Sequence, residues 1–326
     1  MARRRSSWQK PARTTRLLAA GALALAGAAA IVSGRAAAAE RAHPPKGRFV
    51  MSNGVRLHYL EQGSGPPVVF LHGNGMMADD FLACGLLGTT GRQHRSYAFD
   101  RPGFGYSERP WTQSWSARAQ ARLLPAAFAN LGIHRPVVYG HSWGALVALA
   151  LAIDHPDDVA GLVLASGYYY PTARVDVGLF SPPAIPVVGD VLRFTVAPII
   201  GEALAPRLID KMFAPQAVPG AFRAAVPVSL MTRPSQIRAA AEDAAHMITS
   251  ASELSEHYDQ LHMPIMILAG DADEVVTTER QAQRLHREIP HSRLRTFPGF
   301  GHMLHYFHVD EIARTIDDLD SRHSIH

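Results

Sequence analysis

The chain has 326 residues, 47% hydrophobic and 18% charged, which is core material for one large globular domain and excludes a disordered or collagen-like polymer. Its formal net charge of +4 misleads, because seven of the 32 lysines and arginines crowd into residues 1–39, which hold no acid. The rest carries 25 bases against 28 acids and shows no basic, aromatic-laced stripe, so nucleic acid is not expected as a partner.

At the N-terminus, Arg3-Arg4-Arg5 through Arg16 make a positive region and residues 17–32 an uncharged, Ala/Leu-rich run. Ala37-Ala38-Ala39 then offers small residues for cleavage before Glu40. Residues 1–39 are therefore expected to be a signal peptide or an uncleaved signal anchor. Sixteen apolar residues, mostly alanine, are short for a membrane span. Export to a secreted or periplasmic location is the first expectation; a membrane tether and a plain disordered tail are the alternatives. Cys84 is the one cysteine, so no intrachain disulfide forms, and it reads as a small buried apolar residue.

Residues 40–47, with His43-Pro44-Pro45-Lys46-Gly47, read as a linker. Strand-like runs at 48–51 and 55–60 flank Ser52-Asn53-Gly54, and Asn-Gly between two such runs predicts a hairpin. Short apolar runs then recur at 68–71, 97–99, 137–139, 162–164, 265–268 and 294–297. Helical patterns at 117–131, 145–153, 279–288 and 310–319 separate several of them. Pro125 predicts a kink in the first of these helices, or two shorter ones. The pattern implies an α/β fold: an eight-stranded, mostly parallel sheet with helices on both faces. Its alternation breaks over 171–262, where proline and alanine abound and 235–250 is helical in pattern. That stretch is expected to be a helical cap inserted between a first core part, 48–170, and a second, 263–326.

The chemistry centres on Val137-Val138-Tyr139-Gly140-His141-Ser142-Trp143-Gly144-Ala145. An apolar run stops at Gly-x-Ser-x-Gly and an Ala/Leu-rich helix starts at once. A turn this tight strains its central residue, the small Gly140 and Gly144 relieve the crowding, and the Ser142 hydroxyl projects at the positive end of the helix. A free serine is a poor nucleophile and needs a base, with a carboxylate to orient that base. Two later strand ends offer them, in Gly270-Asp271-Ala272-Asp273 and in Pro298-Gly299-Phe300-Gly301-His302. Strand C-termini of a parallel sheet share one edge, so these side chains can converge.

With those motifs, His72-Gly73-Asn74-Gly75 and Asp100-Arg101-Pro102-Gly103-Phe104-Gly105-Tyr106-Ser107, the chain resembles the α/β-hydrolase superfamily over residues 48–320. The resemblance implies Ser142 as nucleophile and His302 as general base, then acid for the leaving group. It implies Asp273 as the third member rather than Asp271, three residues after the strand-ending Gly270, and leaves Asp271 as a turn residue. The backbone N–H groups of Trp143 and Asn74 would form the oxyanion hole. His72 would brace its loop, and the loop at Asp100 would support the pocket. Trp143, Phe104 and Met303 read as pocket lining or as plain core. The Asp100 loop and the cap resemble haloalkane dehalogenase-like and epoxide hydrolase-like members, but those use an aspartate where this chain has Ser142.

The activity expected is that of a serine hydrolase acting on a small to medium, largely apolar carboxylic ester as small-molecule substrate, with no cofactor and no metal. The alternatives are a proline iminopeptidase-like or carbon–carbon bond hydrolase, a cofactor-free haloperoxidase-like side-activity, and a non-catalytic ligand-binding protein on the same scaffold. An iminopeptidase would need acidic cap residues to hold an amine. Glu242, Asp243, Glu253 and Glu256 qualify by sequence, or form a solvated helix face.

Overall fold

The computed structural model of the protein describes residues 13–173 and 175–323. Eight strands form one sheet in the order β1-β2-β4-β3-β5-β6-β7-β8. They are β1 (Arg48–Ser52), β2 (Val55–Gln62), β3 (Pro67–Leu71), β4 (Arg95–Phe99), β5 (Val137–His141), β6 (Gly161–Ala165), β7 (Ile265–Gly270) and β8 (Arg293–Phe297). The hairpin turn falls at Asn53 (φ 48°) and Gly54 (φ 80°), two left-handed residues whose twist suits a two-residue connection. It pairs Ser52 with Val55. β2 is antiparallel to both neighbours, and every pairing from β4 to β8 is parallel.

Parallel strands covered on both faces read as unbroken apolar runs, and all five residues of β5 and of β6 are buried. Alternate residues feed two cores. Val69 and Leu71 enter one with Trp143, Leu146 and Phe128, whereas Val68 and Phe70 enter the other with Phe81, Leu87 and Ile312. Cys84, half-buried, packs against the second core and donates its thiol to the Phe81 carbonyl.

In chain order the helices begin with α1 (Arg13–Ala42), α2 (Asp79–Ala83), α3 (Leu86–Thr90), α4 (Ala117–Ala121), α5 (Leu124–Leu131) and α6 (Trp143–Asp154). The expected 117–131 helix is two pieces, and Pro125 sits in the first turn of the second, where its missing N–H costs nothing. The cap lies between β6 and β7 and contains α7 (Val175–Phe180), α8 (Val188–Arg193), α9 (Ala197–Phe213), α10 (Gly220–Ala225), α11 (Val228–Met231) and α12 (Pro234–Ser255). After β7, a π-helical turn (Glu279–Gln283) leads into α13 (Arg284–Glu288), and α14 (Val309–His323) follows β8. α14 buries Ile312, Ile316 and Leu319, the stripe that a 3.6-residue period lays on one face.

α1 is continuous past Ala39, to Ala42, and within Thr15–Ala42 it is long and apolar enough to cross a membrane, as an anchor or a signal sequence would be. Arg3, Arg4, Arg5 and Lys10 lie outside the described residues.

Candidate active site

Ser142 follows β5 directly and has φ 53° and ψ −118°, a conformation that costs a non-glycine residue free energy and persists because its surroundings leave no alternative. Its N–H is held by the Ala165 carbonyl at the end of β6, 2.9 Å away, and its own carbonyl accepts the Ala145 N–H that opens α6. Both flanking glycines are required by space. A Cβ on Gly140 would lie 2.6 Å from the Ala145 Cα, and one on Gly144 would lie 2.1 Å from the Leu71 carbonyl oxygen.

The His302 turn closes over the end of β7 because Gly270 has no side chain; a Cβ there would meet the Phe300 carbonyl oxygen at 2.0 Å. His302 Nδ1–H donates to Asp273 Oδ2 at 2.8 Å, and the other carboxylate oxygen accepts the Val275 and Val276 N–H groups, each at 2.8 Å. Three bonds thus fix the carboxylate, and the carboxylate fixes which ring nitrogen carries the proton, leaving Nε2 as the acceptor. Asp271 does a different job, with Oδ1 accepting the Gly299 N–H at 2.6 Å and shaping the turn. His141 couples the two halves of the site: its Nε2–H donates to the His302 carbonyl at 3.1 Å, and its ring centre lies 4.9 Å from that of His302.

The loop carrying Asn74 lies against the serine, since a Cβ on Gly73 would stand 3.1 Å from both Ser142 Cβ and His141 Nδ1. Trp143, the other residue singled out for its backbone N–H, is the first residue of α6, where N–H groups lack partners inside the helix. His72 donates Nδ1–H to the Gly73 carbonyl at 2.8 Å and accepts the Arg101 N–H on Nε2 at 3.0 Å, so it braces this loop as a neutral ring. Burial first, and the Arg101 charge second, lower its pKa to about 3. Asp100 ties down the neighbouring loop, accepting from Ala78 N–H, Tyr106 N–H and His58 Nδ1–H at 2.7–2.9 Å. Burial raises its pKa, but the hydrogen bond and charge of His58 outweigh that and leave it below the ordinary value.

The cap grips these loops from above. Gln236 on α12 accepts the Gly105 N–H and donates to the Gly75 carbonyl, Asn74 donates to the Ala240 carbonyl, and Gln216 bonds both Gly299 and Gly301 in the His302 turn. Beneath α12 the Asp243 carboxylate is wholly buried, 2.6 Å from Arg101 and 3.3 Å from Arg109, with Gln120 donating at 2.9 Å. Glu242 bonds Arg109 and Arg238, each at 2.6 Å. These two acids therefore form neither a solvated face nor an amine-holding pair. They clamp cap to core, and Glu253 pairs with Arg118. Trp143, Phe104 and Met303 are buried, Phe104 against the His72 ring and Arg101, and Met303 beneath Phe213 and Phe222 of the cap.

Close to the His302 turn lies another histidine–carboxylate pair that the sequence does not signal. His305 Nε2–H donates to Asp80 Oδ2 at 2.9 Å, and the Tyr306 hydroxyl donates to Oδ1 at 2.7 Å. With His141 they form a group whose donor atoms lie within 4.8 Å of one another, spacing that suits a metal, but both Asp80 oxygens are already taken by hydrogen bonds. Nothing in the sequence distinguishes His305 from His302 except the glycine turn before the latter.

Comparison with known proteins agrees with this architecture. A family model described as alpha/beta hydrolase fold matches residues 66–309. The chain is 31% identical over 139 residues to haloalkane dehalogenase 2 of Mycobacterium tuberculosis, covering 43% of this chain and only about half, 48%, of that relative's length. It is 27% identical over 293 residues to the 2-hydroxymuconate semialdehyde hydrolase of Pseudomonas putida, covering 86% of this chain and 98% of the relative. Among solved structures, a bacterial membrane phospholipase A superposes with a TM-score of 0.64 at 21% identity, covering 95% of this chain and 99% of that one.

Proposed function

The chain belongs to the α/β-hydrolase fold family, and from that premise we propose that it is a serine hydrolase cleaving a small to medium, largely apolar carboxylic ester through an acyl-enzyme. The observation that carries the reading is the His302–Asp273 bond, which leaves Nε2 as a base on the sheet edge that presents the strained Ser142. In this reading Nε2 takes the Ser142 proton as Oγ attacks the ester carbonyl. The N–H groups of Trp143 and Asn74 receive the developing oxyanion, supported by the positive end of α6. His302 then returns the proton to the departing alcohol, and a water activated by the same nitrogen releases the acid.

Serine at position 142 separates the chain from the dehalogenase relative. Displacing a halide or opening an epoxide passes through an alkyl ester that a carboxylate nucleophile forms and a hydroxyl does not. The buried pairing of Asp243 and Glu242 weakens the iminopeptidase alternative, because neither acid is left to hold a substrate amine. A second reading, hydrolysis of a carbon–carbon bond by the same residues, is favoured by the near-complete span of the Pseudomonas putida relative. Purified protein given p-nitrophenyl butyrate, proline naphthylamide and a 2-hydroxymuconate semialdehyde-type substrate separates these readings. The proposal expects turnover of the ester at least about 100-fold above the amide. Preference for the dienoate would establish the second reading, and no turnover of any would establish a binding protein.

We further propose that α1 places the enzyme at a membrane facing the exported side. Ala39 is buried against Met77 and Leu230, and Glu40 pairs with Arg233 at 2.7 Å, contacts that favour retention of the segment over cleavage beside Ala39.

A further inference from the structure

Exposed apolar side chains are concentrated on one part of this protein. Among the described residues, five of the exposed large apolar side chains lie on α1, and ten of the remaining thirteen fall between Leu179 and Leu208 on α7, α8, α9 and their connections. Leu179 is 69% exposed, Val187 73% and Ile199 59%, and Val188, Val191 and Ile200 are exposed as well. Val187 is also held at φ 67°, a conformation that a β-branched residue seldom adopts. Between Leu179 and Leu208 the sequence carries four charged residues, about half the density usual for a solvated surface. Three of them are neutralised, Arg193 by Asp190 and Glu202 by Arg35. Apolar surface of this extent marks a contact site rather than ordinary exposure.

The position of α1 identifies what covers it. Its first half is free of the body, and its last turns are docked: Val32 and Ala39 are buried, Arg35 reaches Glu202 on α9 at 2.6 Å, and the Tyr106 hydroxyl donates to the His43 carbonyl just beyond the helix. Between Arg16 and Arg35 there are eighteen uncharged residues, about 27 Å of helix, close to the thickness of a bilayer's hydrocarbon core. Arg35 therefore marks the depth at which α1 leaves the hydrocarbon, and its partner Glu202 stands within one helical turn of Ile199 and Ile200. Pro198 and Glu202 line a small cleft shared with Val32 and Arg35, so the start of α9 is in direct register with the end of the apolar run. The basic residues Arg13 and Arg16 precede the run, which keeps that end on the cytoplasmic side and the folded body on the other.

We propose that the outer face of the cap, α7 to α9, is seated in the bilayer surface from which α1 emerges, so that the enzyme lies on the lipid through two contacts rather than hanging from one tether. A helix anchored at Glu202 holds the apolar cap against the headgroup region, and the cap side chains then bury in the acyl boundary as those of an interfacial helix do. Resting on the ester-hydrolase reading, this placement adds that the substrate class is an apolar acyl ester dissolved in the membrane, received under the cap without crossing water.

The test uses the full chain, with Cys84→Ala and a single cysteine introduced by Val187→Cys, Ile199→Cys or, as control, His134→Cys in the exposed loop before β5, at the opposite edge of the sheet. Each is labelled with an environment-sensitive fluorophore and reconstituted in phosphatidylethanolamine–phosphatidylglycerol vesicles with or without acyl-brominated lipid. The proposal expects bromine quenching at 187 and 199 at least threefold stronger than at 134. Equal quenching at all three positions would overturn it. So would labels at 187 and 199 that are shielded from water yet unquenched, which would assign the face to a second copy or another protein. The readout needs no turnover, so it stands or falls independently of the ester-hydrolase reading.

Discussion

Two histidine–carboxylate pairs have their histidines three residues apart in this chain, and their difference supports the proposed place of the chemistry. His302 donates to Asp273 at 2.8 Å and His305 donates to Asp80 at 2.9 Å, so the bonds themselves are nearly identical. What surrounds them is not. The second ring nitrogen of His305 is sealed without a partner, and its carboxylate is shared with Tyr306 inside the core. The second nitrogen of His302 is not sealed in this way, its carboxylate is oriented by two backbone N–H groups, and its turn meets the element that carries Ser142. A histidine–carboxylate bond is thus an ordinary structural device, and it becomes catalytic equipment only beside a strained nucleophile with the remaining nitrogen available.

The largest effect that sharpens this contrast is removal of the nucleophile. Ser142→Ala should lower kcat for p-nitrophenyl butyrate by about 100,000-fold while the thermal midpoint stays unchanged. Retained turnover would move the chemistry elsewhere. Next comes the base, where His302→Ala should cost about 10,000-fold in kcat with the fold intact. His305→Ala should instead leave kcat per folded molecule within about tenfold and destabilise by about 3 kcal/mol in urea, because it strands the buried Asp80. Reversal of those two outcomes would break the comparison.

The eight strands were legible in the sequence because parallel strands buried on both faces write themselves as short apolar runs, as at 137–139 and 162–164, whereas the short helices α2 and α3 that cover part of the sheet carried too few turns to show a period. The clamp between cap and core was not. On α12, Asp243 looks like any charge on a solvated helix, since periodicity records that a residue is polar and not whether water or a guanidinium satisfies it. Arg101 and Arg109 come from loops remote in sequence, so the pairing exists only in three dimensions. Asp271 and Asp273 were likewise equal by local pattern. Only the resemblance favoured the second, and the structure brings Asp273 to His302 and Asp271 to the Gly299 N–H. The outer cap face left its composition in the sequence, but its alignment with the end of α1 appears only once both are packed.

That distinction supplies the third prediction: Asp273→Asn should lower kcat by about 1,000-fold or more, and Asp271→Asn by less than about tenfold. The smallest effect concerns acid stability. His72 is held near pKa 3 by burial, against 6.5 when unfolded, and His141 is held well below 6.5, by burial first and by His305 next. Below pH 6.5 the unfolded chain binds protons that the folded one refuses, so stability falls as pH falls, by about 2 kcal/mol at pH 5 for His72, with His141 acting in the same direction. Urea titrations at pH 7 and 5 check this, and a midpoint unchanged across that range would mean both rings are protonated in place.

The most direct measurement is covalent. A fluorophosphonate reacts with a serine only when a neighbouring base and an oxyanion hole activate it, so peptide mapping after labelling of the full chain reads nucleophile and machinery together. The adduct is predicted on Ser142, and its formation should be abolished by His302→Ala but not by His305→Ala. An unlabelled Ser142 in protein that turns over the ester, or an adduct on another residue, would contradict the account.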